Sequence, residues 1–146
     1  KANEQRPAIE IVKEYGNLPP VDCFPGQLNQ VFMNIFANAI DALEESNREA
    51  SLEKIKAPAH CITIRTEMKS SDWVTIRISD NGTGIPDEIK AQIFNHLFTT
   101  KGVGKGTGLG LAIARQIVVE KHGGTIEVNS VLREGTEFTI LLPMKR

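Results

Sequence analysis

Three segments of this chain carry residue types whose spacing suits ligand chemistry. Asn34 and Asn38 stand four residues apart. A helix would put both carboxamides on one face, with Asp41 and Glu45, opposite its apolar stripe. Such a pair reads either as a solvated face or as an oxygen ligand for a hard cation. Magnesium keeps waters and substrate phosphates, so one neutral protein oxygen is enough. Asp80-Asn81-Gly82-Thr83-Gly84-Ile85-Pro86 reads either as a turn before a helix or as a binding element. In the second reading the glycines let a ligand approach the backbone, and Asp80 accepts a hydrogen bond from an exocyclic amine. Adenine offers that amine, whereas guanine offers an oxygen that a carboxylate repels. Gly102-Val103-Gly104-Lys105-Gly106-Thr107-Gly108-Leu109-Gly110 reads as a flexible linker or as a phosphate cradle built from amides at a helix start. It is not a P-loop, because Gly106 follows Lys105 where Ser or Thr is needed. Nor is it a dinucleotide fingerprint, which follows a strand directly and has another spacing.

The elements that must position these groups are legible from periodicity. Ile9 to Tyr15 reads as a strand, stopped by Gly16-Asn17 and Pro19-Pro20. From about Gln27 to Glu45, Leu28, Val31, Phe32, Ile35, Phe36, Ala39, Ile40 and Leu43 recur at steps of three and four, which predicts a helix. Glu44 to Pro58 has no strong apolar period and reads as a helix extension or a loop. Cys61–Thr66 and Trp73–Ile78 alternate as two strands joined by the turn at Lys69–Asp72. Pro86 suits a first helical position, with Asp87 and Glu88 behind it and Ile89, Ile93 and Leu97 as the apolar stripe. Leu109 to Glu120 reads as a buried helix ended by Gly123-Gly124. Thr125–Val131 and Thr136–Leu142 read as a hairpin closed by Arg133-Glu134-Gly135. The pattern predicts an α/β (α+β) two-layer sandwich, with a mixed, largely antiparallel sheet covered by helices on one face.

The 146 residues suffice for one domain, 1–146, with an apolar core. A net charge of −1 supplies no global basic field for nucleic acid or an anionic membrane. No apolar run approaches the ~20 residues of a membrane span, and the first seven residues lack the apolar segment of a signal peptide. Cys23 and Cys61 have neither metal nor redox spacing and read as reduced packing residues of a cytoplasmic protein. His60 reads as a strand-edge residue and His122 as a helix-end residue, each structural or solvated.

Taken in order, the segments resemble the ATP-binding catalytic domain of sensor histidine kinases, within the superfamily that includes gyrase, a heat-shock chaperone and mismatch-repair ATPases. Asn34-Ile35-Phe36-Ala37-Asn38-Ala39 resembles its N box and Asp80 to Pro86 its G1 box. Ile93-Phe94-Asn95-His96-Leu97-Phe98-Thr99-Thr100-Lys101 is similar to its F box, Gly106-Thr107-Gly108-Leu109-Gly110-Leu111 to its G2 box, and Gly135-Thr136-Glu137-Phe138 to its closing strand. The boxes span about Gln27 to Pro143.

The resemblance implies a flexible lid over ATP or ADP and a magnesium ion. Asn38 would ligate the metal, with Asn34 helping to hold it or the phosphates. Asp80 would accept from the adenine amine with Thr136 in support, and Gly82 and Gly84 would floor the pocket. Asp41, Ile85, Phe94, Thr100 and Leu109 would line the nucleotide. Gly104, Gly106, Gly108 and Gly110, with Thr107, would shape the cradle, and Lys101 and Lys105 would neutralise phosphate charge. The catalytic set would be Asn34, Asn38 and Lys101.

Four departures stand out. Asn34 replaces the glutamate with which the superfamily's hydrolases activate water, so ATP should be kept rather than hydrolysed. Asp41 stands where many members carry a basic or aromatic residue. His96-Leu97 replaces the more usual Pro-Phe. None of His60, His96 and His122 has the context of a phospho-accepting histidine, so the acceptor would lie on a separate helical dimerisation domain, with a response regulator downstream. Two alternatives remain, a serine kinase of the same fold and a non-catalytic nucleotide sensor.

Overall fold

The computed structural model describes residues 8–56, 59–94 and 110–145. Five strands form one sheet in the order β1-β2-β3-β5-β4. They are β1 (Ile9–Tyr15), β2 (His60–Met68), β3 (Trp73–Asp80), β4 (Thr125–Val131) and β5 (Gly135–Pro143). β1 and β2 run parallel, joined through the helix α1 (Pro25–Leu52), and every other pairing is antiparallel. The helices α2 (Asp87–Lys90) and α3 (Gly110–Gln116) complete the described elements, and a π-helical turn, Ile117–Lys121, continues α3. The expected mixed sheet with helices on one face is present.

Alternation in the strands sets the core. Ile62 of β2, Val74 and Ile78 of β3, and Phe138, Ile140 and Leu142 of β5 point to the helical side and are buried. They meet Leu28, Val31, Ile35, Ala39 and Leu43 of α1, Ala114 of α3, and Ile117 and Val118 of the π-helical turn. The other face of the sheet is polar; Arg65–Glu14 and Arg77–Glu67 ion pairs, each at 2.7 Å, cross it. His122 ties the π-helical turn to the start of α1. Its Nε2 accepts the Phe24 N–H at 3.0 Å, its Nδ1 lies 3.1 Å from the Ile117 carbonyl, and the Phe24 ring sits edge-on to it. His60 is buried as well, so neither histidine is solvated. Burial lowers the His60 pKa.

One open alternative resolves as a helix extension, and two helix boundaries differ from expectation. α1 continues through the charged segment to Leu52, because Ala50 packs inward and the Ile55 and Lys54 N–H groups close the helix end onto the Ala50 and Ser51 carbonyls. The helix expected from Pro86 is regular only over Asp87–Lys90 and gives way to turns, the Gln92 N–H reaching back to Ile89; Ile93 is buried, as its stripe position required. The helix expected over Leu109 to Glu120 is α-helical only to Gln116 and buries one face, leaving Arg115 and Gln116 exposed.

Candidate nucleotide site

The site's base end forms where β3 stops. The β3–β5 register sets Asp80, the last residue of its strand, opposite Thr136. The Asp80 carboxylate accepts the Gly82 N–H at 2.8 Å and also the Thr136 backbone N–H. Burial pushes its pKa up to about 6, while the two N–H bonds hold it down. The Thr136 hydroxyl does not support Asp80 directly; it lies 2.8 Å from Ser130 Oγ.

Asn81 pins this turn to the start of β2. Its side chain accepts the Cys61 N–H at 2.9 Å and donates to the Ala59 carbonyl at 2.7 Å. The glycines after it serve close internal approach. A Cβ on Gly82 would stand 2.8 Å from the Ala42 backbone of α1. Gly84 adopts φ +79°, and a Cβ there would stand 2.3 Å from the Val131 carbonyl oxygen. Both positions are therefore closed by the protein's own backbone. Ile85 and Phe94 are half-buried against the core, Phe94 edge-on to Phe138 at 6.2 Å.

The other end of the site is set by α1. Asn34 donates through Nδ2 to the Gly110 carbonyl at 2.9 Å, where α3 begins, and accepts from Gln30 at 2.7 Å. Asn34, Asn38 and Asp41 are half-buried, whereas Met33 and Ala37 are exposed. The face opposite the apolar stripe is thus not the one that carries the asparagines. Their flank of the helix points toward α3 and the Asp80 turn, because Asn34 touches Gly110 and Ala42 touches Gly82. Asn38 and Asp41 lie between those two contacts, on a stretch about 12 Å long at the helical rise.

The structure thus gathers Asp80, Gly82, Gly84, Ile85 and Thr136 at one corner and joins Asn34 to Gly110 at another, with Asn38 and Asp41 on the helix between. Thr100, Lys101, Gly104, Lys105, Gly106, Thr107, Gly108 and Leu109, and the expected lid they belong to, lie outside the described residues. Among the described residues, no three His, Cys, Asp or Glu side chains gather as a metal cage. One carboxamide oxygen on a half-buried helix flank nevertheless suits magnesium, which takes most of its ligands from phosphates and water.

Ser130 was missed from sequence. Its hydroxyl donates to the Gly135 carbonyl at 2.9 Å, accepts the Ile85 N–H at 2.7 Å and meets the Thr136 hydroxyl. The available signal was register: Ser130 follows Ile126 and Val128 at the inward positions of β4.

Residues 24–146 match the family model described as histidine kinase-, DNA gyrase B- and HSP90-like ATPase. Sensor kinase CckA of Brucella abortus is 37% identical over 137 residues, covering 92% of this chain and 14% of that protein. Sensor histidine kinase ZraS of Escherichia coli K12 is 38% identical over 127 residues, covering 87% of this chain and 24% of ZraS. NtrB of Azospirillum brasilense, a sensory histidine kinase/phosphatase, is 37% identical over 142 residues, covering 93% of this chain and 34% of NtrB. The chain therefore spans between 14% and 34% of the length of these relatives. Among solved structures, the catalytic domain of histidine kinase ThkA superposes with a TM-score of 0.74 at 30% identity, over 94% of this chain and 82% of that one. Full-length ShkA in complex with AMPPNP gives a TM-score of 0.74 at 26% identity, over 92% of this chain and 25% of that one. With its Asp80 corner, its asparagine-bearing α1 flank and a family match over most of its length, the chain belongs to the histidine kinase-, DNA gyrase B- and HSP90-like ATPases.

Proposed function

We propose that this chain is the catalytic domain of a sensor histidine kinase, binding magnesium-ATP and presenting its γ-phosphate to a histidine on a separate helical dimerisation domain. Asp80 carries the reading: a carboxylate at a strand end, held in place by two backbone N–H groups and kept in a partly desolvated corner. Its remaining acceptor capacity faces the adenine amine. The Asn38 side-chain oxygen holds magnesium together with the phosphates, and the ion neutralises charge on them when bound. Asn34 keeps the start of α3 against α1, and its amide cannot take a proton from water at neutral pH. The nucleotide is therefore retained until the histidine arrives. Lys101 and Lys105, with the amides from Gly104 to Gly110, supply positive potential for the phosphates.

In the transfer, the bond from the γ-phosphorus to its β-bridging oxygen breaks, a phosphorus–nitrogen bond forms at the histidine, and ADP leaves. The domain contributes positioning and charge stabilisation. A response regulator receives the phosphoryl group later. No helix among the described residues is long and apolar enough to cross a membrane. We place this domain's action in the cytoplasm because that compartment holds the ATP it would bind.

Incubation of the chain alone with γ-labelled magnesium-ATP tests the reading. Tight binding, slow release of free phosphate and no acid-labile label on the chain are expected. Rapid hydrolysis, or label on His60, His96 or His122, would overturn it.

A further inference from the structure

Ser130 is buried, with 7% of its surface exposed, at the end of β4. Its hydroxyl is saturated. The single proton goes to the Gly135 carbonyl, and the oxygen accepts from the Ile85 N–H and from the Thr136 hydroxyl. The Ser130 carbonyl is engaged as well, accepting Lys90 Nζ at 3.0 Å. One residue thus bonds the turn after Gly84, the last residue of α2 and both opening residues of β5. A second strap runs alongside, from the Arg133 N–H to the Thr83 carbonyl at 2.7 Å. The residue after Gly135 is Thr136, whose backbone N–H holds Asp80.

We infer that Ser130 is a positioning residue for adenine recognition: its hydroxyl locks the Gly84–Ile85 turn to the start of β5 and so keeps the Thr136 N–H on the Asp80 carboxylate. This inference rests on the reading of Asp80 as the base acceptor. Ser130 itself is inward-facing and bonded on all sides, so it acts through Thr136 rather than on the nucleotide. In Ser130→Ala the Ile85 N–H and the Gly135 carbonyl lose their shared partner. The carboxylate then keeps its charge and its bond from the Gly82 N–H, but the second N–H that fixes its direction, that of Thr136, is no longer held in place.

The test is a double-mutant cycle read by calorimetric titration with magnesium-ATP. It uses the wild-type chain, Ser130→Ala, Asp80→Asn and the double variant, each shown to be folded by a cooperative urea transition. Ser130→Ala should weaken ATP binding roughly three- to tenfold, the worth of one oriented hydrogen bond. In the Asp80→Asn background the same substitution should change affinity less than about twofold, because the group it positions has gone. Equal weakening in both backgrounds, or none in either, would overturn the role of Ser130 while leaving Asp80 as the acceptor. Unchanged affinity in Asp80→Asn alone would instead overturn the base-acceptor reading. Should Ser130→Ala not fold, Thr136→Val removes only the hydroxyl contact to Ser130. It should weaken ATP about two- to threefold, again only where Asp80 is present, and additivity there would refute the inference.

Discussion

Replacing Asp80 by Asn should stabilise the nucleotide-free fold at neutral pH even as it weakens nucleotide binding. Burial lifts the Asp80 pKa from 3.8 to about 6, against the pull of two backbone N–H bonds. The ionised carboxylate therefore costs the folded state about 3 kcal/mol, from roughly two units at about 1.36 kcal/mol each. The folded pKa lies above the unfolded one. The stabilising contribution of this group is thus fully present below about pH 4 and is lost as pH rises through about 6. Asn resembles the protonated acid at every pH, except that its NH₂ must be placed beside two N–H donors, which offsets about 1 kcal/mol. Urea denaturation of both proteins at several pH values isolates the effect, since every other carboxylate titrates in both and cancels in the difference. The variant should match the wild type or fall slightly below it near about pH 4.5. Near about pH 7.5 it should be about 2 kcal/mol more stable. A difference that does not vary with pH, or one that grows less favourable to Asn as pH rises, would refute the buried-carboxylate argument.

ATP affinity of the wild-type chain should fall as pH drops through about 6, where protonation of Asp80 removes the charge that accepts the adenine amine. Calorimetry across that range should show the step in the wild type and not in Asp80→Asn. Gly82→Ala should destabilise the fold by about 1–3 kcal/mol in urea, because its Cβ would press on the Ala42 backbone rather than on a side chain that can turn away. Asn38→Ala should leave the fold intact but abolish the gain in ATP affinity that magnesium gives, read by paired titrations with and without the metal.

Much of the fold was legible because burial wrote itself into period. Leu28, Val31, Ile35, Ala39 and Leu43 mark the inward stripe of α1, and the two strand pairs alternate as expected. The strand order was not legible. That β5, not β4, lies beside β3 depends on long-range pairing, and this pairing alone brings Thr136 to Asp80. The extension of α1 to Leu52 was ambiguous because it rests on a single buried alanine and on a helix end with a lysine, Lys54, at φ +59°. The site residues were identified by type more reliably than by role. Gly82 and Gly84 suggested close approach of a ligand, but what approaches them is the backbone of Ala42 and Val131. Helical spacing alone puts the asparagines opposite the apolar stripe. They lie on its flank, because α3 and the Asp80 turn cover a wider arc of the helix than the stripe alone indicates. Ser130 stood out only as a polar residue at an inward strand position, a signal that needs the pairing partner before it means anything.

Phosphoryl transfer to a histidine outside this chain is the most direct measurement of the proposed function. The histidine-bearing helical domain of the parent kinase, lacking its own catalytic domain, is mixed with this chain and γ-labelled magnesium-ATP. Acid-labile label should appear on that domain's histidine at a rate that saturates with ATP and drops sharply with Asp80→Asn or Asn38→Ala. ATP bound to saturation with no label transferred, or label that is acid-stable and resides on a serine, would contradict the assignment.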